Sequence, residues 1–354
     1  MRTATWQALR DAGIVRGDAP ETSEAGSPWY VRAMLGVAGW IAALFLLGFV
    51  YAIVGWDLSS GSMLGVGIVL IAAAAAILAG AARNEFALQL GLACAFAGQG
   101  LAVFGLAGTL HALRFGEVTG YVVIAAMEIA LLLAVKHPVH RTWCALVAVG
   151  CVWLAVRAAG MPALATGLLA AGMAGLWLVE LDHPHAHAIL APAAYGVTFA
   201  LLLAESNRIL VNWAPSMLGV RHFQPWQTPW LGEAFTALVF MGVTWRLCER
   251  PNLRLSPEQY GAAMLAGVML AVMSRRAPGL ASAVMIMVLG FGNGNRVLTG
   301  IGILTLLAAV FAYYYSLQTT LLVKAGLLAV TGAGLLVLRA AAHWMWPEAE
   351  ARGA

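Results

Sequence analysis

Charge is scarce in this sequence. Only 10% of its 354 residues are Asp, Glu, Lys or Arg, against roughly 25% in a soluble domain, which excludes an ordinary water-soluble fold. The basic residues are scattered among short loops and leave a formal net charge of only +4, so nucleic acid is not an expected partner. Cysteine is sparse as well. Cys94, Cys144, Cys151 and Cys248 contain no CxxC pair and read as small apolar packing residues rather than disulfides or a metal site. A Walker loop, a Rossmann fingerprint, a GxSxG elbow and HExxH are all missing, and no polar stretch is long enough to fold into a soluble catalytic domain. An enzyme is therefore the weakest functional class, and no cofactor is implied. Residues 1–30 are polar and lack the apolar core of a cleavable signal peptide.

What fills the chain instead is apolar: 62% of the residues are hydrophobic. Runs near or above the roughly 18 residues that cross a bilayer recur along its length, and they do not alternate as barrel strands would. The expected fold is all-α, a polytopic transmembrane helical bundle of about twelve spans. The expected spans are 33–54, 62–82, 86–108, 118–135, 142–157, 161–180, 186–204, 230–247, 259–274, 278–292, 297–316 and 319–341. A tail at 1–30, a transmembrane domain at 31–343 and a second tail at 344–354 complete the division. Segment 205–229 carries Ile209, Leu210, Trp213 and Trp226 among Pro215, Pro225 and Pro229, and reads as an interfacial stretch lying along the surface. Small residues such as Gly61 and Gly65, or Gly172 and Gly175, would let helices approach closely. The similarity of 167–180 to 326–339 fits a weak 6+6 parallel repeat, or Gly/Ala/Leu composition alone.

Lys and Arg set the orientation. With the N-terminus in the cytoplasm, thirteen fall inside and six outside, with Lys324 left in the membrane. Both termini are therefore expected in the cytoplasm. The outer pair Arg275 and Arg276 is the dissent, and would move inside if a span near 205–229 or 278–292 were misplaced.

Three landmarks stand out from the bland helices: PWYVR with GVAGW at 28–40, FGNGNR at 291–296, and YYYSLQTTLLVKAG at 313–326. On these residues the chain resembles the bacterial membrane family filed as domain of unknown function 4401, over about residues 28–342. The resemblance implies a multi-span protein of the bacterial inner membrane with no assigned activity and no catalytic residue to carry over. It also implies a companion, a small membrane-anchored partner protein with a Gly-Asp-Tyr signature.

Intramembrane polar groups are the candidate sites, because each must be held by something other than lipid. Lys324 in the last span either snorkels to the outer interface, or pairs with Glu233, which lies at similar depth, or marks an outward-facing polar cavity. Glu128, near the middle of the fourth span, is too deep for a short side chain to escape. Gln99 in the preceding span is its expected hydrogen-bond donor, and the alternatives are a packing role and a proton relay or substrate contact. Asn293 and Asn295 sit in the helix break FGNGN, which is either a tight turn or a break that contacts an ion or substrate. His183, His185 and His187 are a weak metal possibility beside Asp182, with no rigid spacing to fix them; solvated loop residues are the simpler reading. Tyr313, Tyr314 and Tyr315 read as an interfacial belt.

Two functional classes follow. An accessory or scaffold subunit of a membrane complex would present its exposed aromatic residues to partners and to the lipid bilayer. A secondary transporter or proton-coupled carrier would line a path with Glu128, Gln99, Lys324 and the Asn/Gly break. The small number of intramembrane polar groups favours the first.

Overall fold

The structure, a computed structural model, describes residues 59–80, 85–213, 229–249, 257–274 and 279–316 without interruption, with separate positions in 7–13, 30–52 and 322–340. Ten α-helices occupy the continuous stretches, and no strand occurs among the described residues. They are α1 (Ser60–Gly80), α2 (Glu85–Ala112), α3 (Glu117–Ala134), α4 (Pro138–Ala158) and α5 (Pro162–Asp182), then α6 (His187–Trp213), α7 (Pro229–Cys248), α8 (Pro257–Ser274), α9 (Leu280–Gly292) and α10 (Arg296–Ser316). Four of them, α4, α5, α7 and α8, begin on a proline. Its fixed φ suits the first helical position, where its missing N–H costs nothing.

Seven helices, α1 to α6 and α10, are long and apolar enough to cross a membrane, with α1 the most apolar at a mean hydropathy of 2.5. Their outward faces stay apolar: Ile68, Phe104, Val122, Ile129, Leu133, Leu203, Leu304 and Phe311 are all exposed. Water would penalise such a surface and acyl chains would not, so the chain is a membrane protein by the same physics that rules out a soluble one.

The expected spans from 62–82 to 297–316 each coincide with a helix to within about one turn, except at a single end. Helix α6 does not stop at 204 but continues to Trp213, so the surface segment expected from 205 begins as membrane helix. Nothing between Glu205 and Trp213 breaks a helix, and the first proline is Pro215. Residues 214–228 lie outside the described residues, as do Lys324, the tail at 344–354 and most of the tail at 1–30.

Two compact units divide the chain, one ending at Phe115 and the other beginning at Gly116. In the first, α1 and α2 pack backbone against backbone. A β-carbon added at Gly67 would lie 2.6 Å from the Ala102 nitrogen, and one at Gly98 would lie 2.8 Å from the Gly67 carbonyl oxygen. The close approaches are thus at Gly67, Gly98 and Gly105. The expected pair Gly61 and Gly65 faces outward, with no neighbouring helix within 4 Å of either, and Gly175 is equally open. Glycine spacing in sequence gives a stripe but not the direction in which it points.

The second unit is built around its shortest helix. Helix α9 has 13 residues, and Ala283, Met285, Ile286 and Leu289 are fully buried. The last three join one apolar core with Met173 and Trp177 of α5, Val197 and Leu201 of α6, Phe240 and Val243 of α7, and Leu298 of α10. A short helix leaves backbone groups below the membrane surface, which is tolerated only where protein surrounds it; here other helices do. Helix α10 returns along α9 because Gly290 and Gly302 allow it. A β-carbon at Gly302 would meet the Met287 nitrogen at 2.5 Å.

Candidate functional site

The polar chemistry of the second unit gathers at the two ends of α9. At its C-terminal end, Gly294 takes a left-handed conformation (φ 63°). Its N–H donates to Phe291 O at 3.0 Å, and the Asn295 N–H donates to Gly290 O at 2.8 Å. These paired bonds are a Schellman ending, which satisfies the last carbonyls of the helix. Asn295 then starts α10, its Oδ1 accepting from the Leu298 N–H at 3.1 Å, as an N-cap should.

Side chains tie this turn into α5 and α6. The Asn293 amide donates to the Trp177 carbonyl at 3.1 Å. The Asn295 carboxamide meets the Tyr195 hydroxyl with Nδ2 at 2.8 Å and Oδ1 at 3.0 Å. The Trp177 ring stands edge-on to Tyr195, centroids 4.9 Å apart, and its indole N–H donates to Thr198 Oγ1 at 3.1 Å. Thr198 in turn donates to Ala194 O at 2.7 Å. The Trp177 indole, the Thr198 hydroxyl and the Asn295 carboxamide thus find partners inside the core, as low dielectric requires, while Asn293 Oδ1 is buried without a hydrogen-bond partner among the described residues.

The other end of α9 holds a buried carboxylate. Glu205 of α6 is 4% exposed and accepts from Ser282 Oγ at 2.8 Å. Gly279, at φ 84°, precedes α9, and a β-carbon there would lie 3.8 Å from the Glu205 β-carbon. Sequence reasoning missed Glu205 because it stood at the assumed end of a span.

Glu128 is fully buried on α3, on one stripe with Ile124 and Leu132. Gln99 is also buried, in α2 of the first unit. Glu233 lies on α7, and its expected partner Lys324 falls outside the described residues. The three histidines are exposed. His187 Nδ1 is 2.5 Å from Glu180 Oε1, His183 Nδ1 is 3.2 Å from its own helix carbonyl at Val179, and no group of three His, Cys, Asp or Glu among the described residues is placed to hold a metal ion. None of the four cysteines is joined in a disulfide, and three of them are buried. Tyr314 and Tyr315 stack edge to face at 5.4 Å.

In the sequence Arg141 is one more scattered basic residue, yet it is 6% exposed within α4. Its Nε donates to Leu132 O at 3.1 Å and its Nη1 to Ala188 O at 2.7 Å. Both acceptors lack a helical donor for a reason legible in the chain. Leu132 belongs to the last turn of α3, and the residue four beyond Ala188 is Pro192, which has no N–H to give.

The family model of a domain of unknown function (DUF4401) matches residues 28–343. The chain belongs to that family. The match takes in all ten helices of this DUF4401 chain, both ends of α9 and the Arg141 anchor. No curated protein and no solved structure matches it.

Proposed function

We propose that this DUF4401 chain is an accessory or scaffold subunit of a complex in the bacterial cytoplasmic membrane. Its transmembrane domain of about twelve spans runs over 31–343, between cytoplasmic tails at 1–30 and 344–354, and the weak 6+6 repeat belongs to the same reading. The observation that carries the proposal is α9. The helix break that a carrier would use to contact its cargo has its backbone bonds closed by a Schellman turn, and its side-chain amide N–H groups donate to the Trp177 carbonyl and the Tyr195 hydroxyl. A core locked in this way suits a rigid platform whose apolar exterior meets lipid and partner helices. The orientation is supported by Lys136, Arg141, Arg246 and Arg296, which belong to the end where α5 and α7 finish. There Arg246 approaches Asp182 at 3.9 Å.

Extraction from native membrane in a mild detergent tests the reading. A stoichiometric companion, such as a small membrane-anchored protein, is expected to co-purify through size exclusion. A solitary chain would overturn it. A transporter or proton-coupled carrier using Glu128 and Lys324 is the second reading, favoured by the full burial of an ionisable carboxyl at Glu128. It requires Glu128 to react with a hydrophobic carbodiimide, and flux to stop in Glu128→Gln.

A further inference from the structure

Arg141 combines deep burial with the absence of an acidic partner: no carboxylate among the described residues pairs with it. Two helix carbonyls hold Nε and Nη1, which leaves Nη2 without a protein acceptor among the described residues. The space open to it is a cleft of about 450 Å³ at the starts of α4 and α6, which Arg141 lines. Exposed Lys136 and His187 line the same cleft, and its walls include Pro138, Val139, Pro192 and Tyr195. No acidic residue lines it. His187 is already held by Glu180, so Lys136 and Arg141 are the two cations left uncompensated.

The N–H groups that a guanidinium held by two carbonyls has left over are strong donors for a phosphate or carboxylate. We propose that this cleft binds a phosphate group, supplied by the headgroup of an anionic phospholipid. Three features select the lipid as the source. The cleft opens at the end of membrane-length helices, its walls are mainly apolar and suit a glycerol backbone and the first methylenes, and basic pockets between transmembrane helices are the usual seats of anionic headgroups. Pro192 belongs to the site indirectly: by freeing the Ala188 carbonyl it fixes the guanidinium, which makes Arg141 pre-positioned rather than recruited.

The test uses the full chain purified in mild detergent, with retained lipid read by native mass spectrometry and stability read by thermal melting. Wild type is expected to retain phosphatidylglycerol in preference to phosphatidylcholine. Lys136→Gln, at an exposed position, is expected to weaken phosphatidylglycerol binding about fivefold while leaving melting in lipid-free detergent unchanged. Arg141→Lys, which keeps the charge but loses the fork, should abolish the preference. A preference that persists undiminished in Lys136→Gln overturns the site. Equal retention of the two lipids, together with protection by millimolar inorganic phosphate that Lys136→Gln removes, keeps the phosphate site and overturns the lipid source. Equal retention with no protection by phosphate overturns both.

Discussion

Asn295 does two things at once: its backbone closes the end of α9, and its side chain opens α10 while engaging Tyr195. Asn295→Ala removes the cap and leaves the Tyr195 hydroxyl short of a partner, and should cost about 1–2 kcal/mol of stability. Tyr195→Phe keeps the ring against Trp177 and should cost less, about 1 kcal/mol. Chemical denaturation in mixed micelles would rank them, and the reverse order would contradict the double role. His137, just outside α4, offers a second test. Burial pushes its imidazole below the ordinary histidine range, so the folded state prefers it neutral. Its contribution is fully present above the ordinary pKa and is lost as pH falls below it. Melting temperature should therefore drop on acidification from neutral to mildly acid pH, and His137→Gln should flatten part of that drop.

At the scale of elements, the hairpin of α1 and α2 depends on which glycines face the partner helix. Gly67→Leu places a side chain where Ala102 and the Gly98 carbonyl already stand. Overpacking of this kind costs about 1–3 kcal/mol and more when backbone blocks relief. Gly65→Leu, two residues away and pointing to open space, should leave melting almost unchanged. Equal effects would mean that the helices do not meet along this line. In the second unit, Leu289→Ala should cost about 2 kcal/mol, the low end of the range for core truncations. The transfer part of that range is small where lipid is the alternative solvent, and the cavity part remains. Melting of the variant against wild type checks the figure.

For the molecule as a whole, the helices were legible because apolar runs of bilayer length have few other uses, and prolines mark where α4, α5, α7 and α8 begin. Glu128 and Gln99 draw notice in the sequence because a lone polar residue in an apolar run announces its own cost; the burial of Arg141 and Glu205 is announced by nothing of the kind. Arg141 looked like any loop cation until Pro192 and the end of α3 were seen to offer it two carbonyls. Glu205 was hidden by a span boundary drawn nine residues short of Trp213. Glycine stripes give proximity without direction, so in the sequence Gly61 and Gly65 look as fit for an interface as Gly67 and Gly98, which form it. Helix α9 carries one further consequence. At 13 residues it measures about 20 Å, well short of an oily layer about 30 Å deep. As the chain leaves the ribosome, such a segment has no reason to enter lipid unaided; α5, α6 and α7 must already stand together to receive it. Excised and tested alone in a translocation assay, it should pass through the membrane rather than lodge there, and should be retained only when those three precede it.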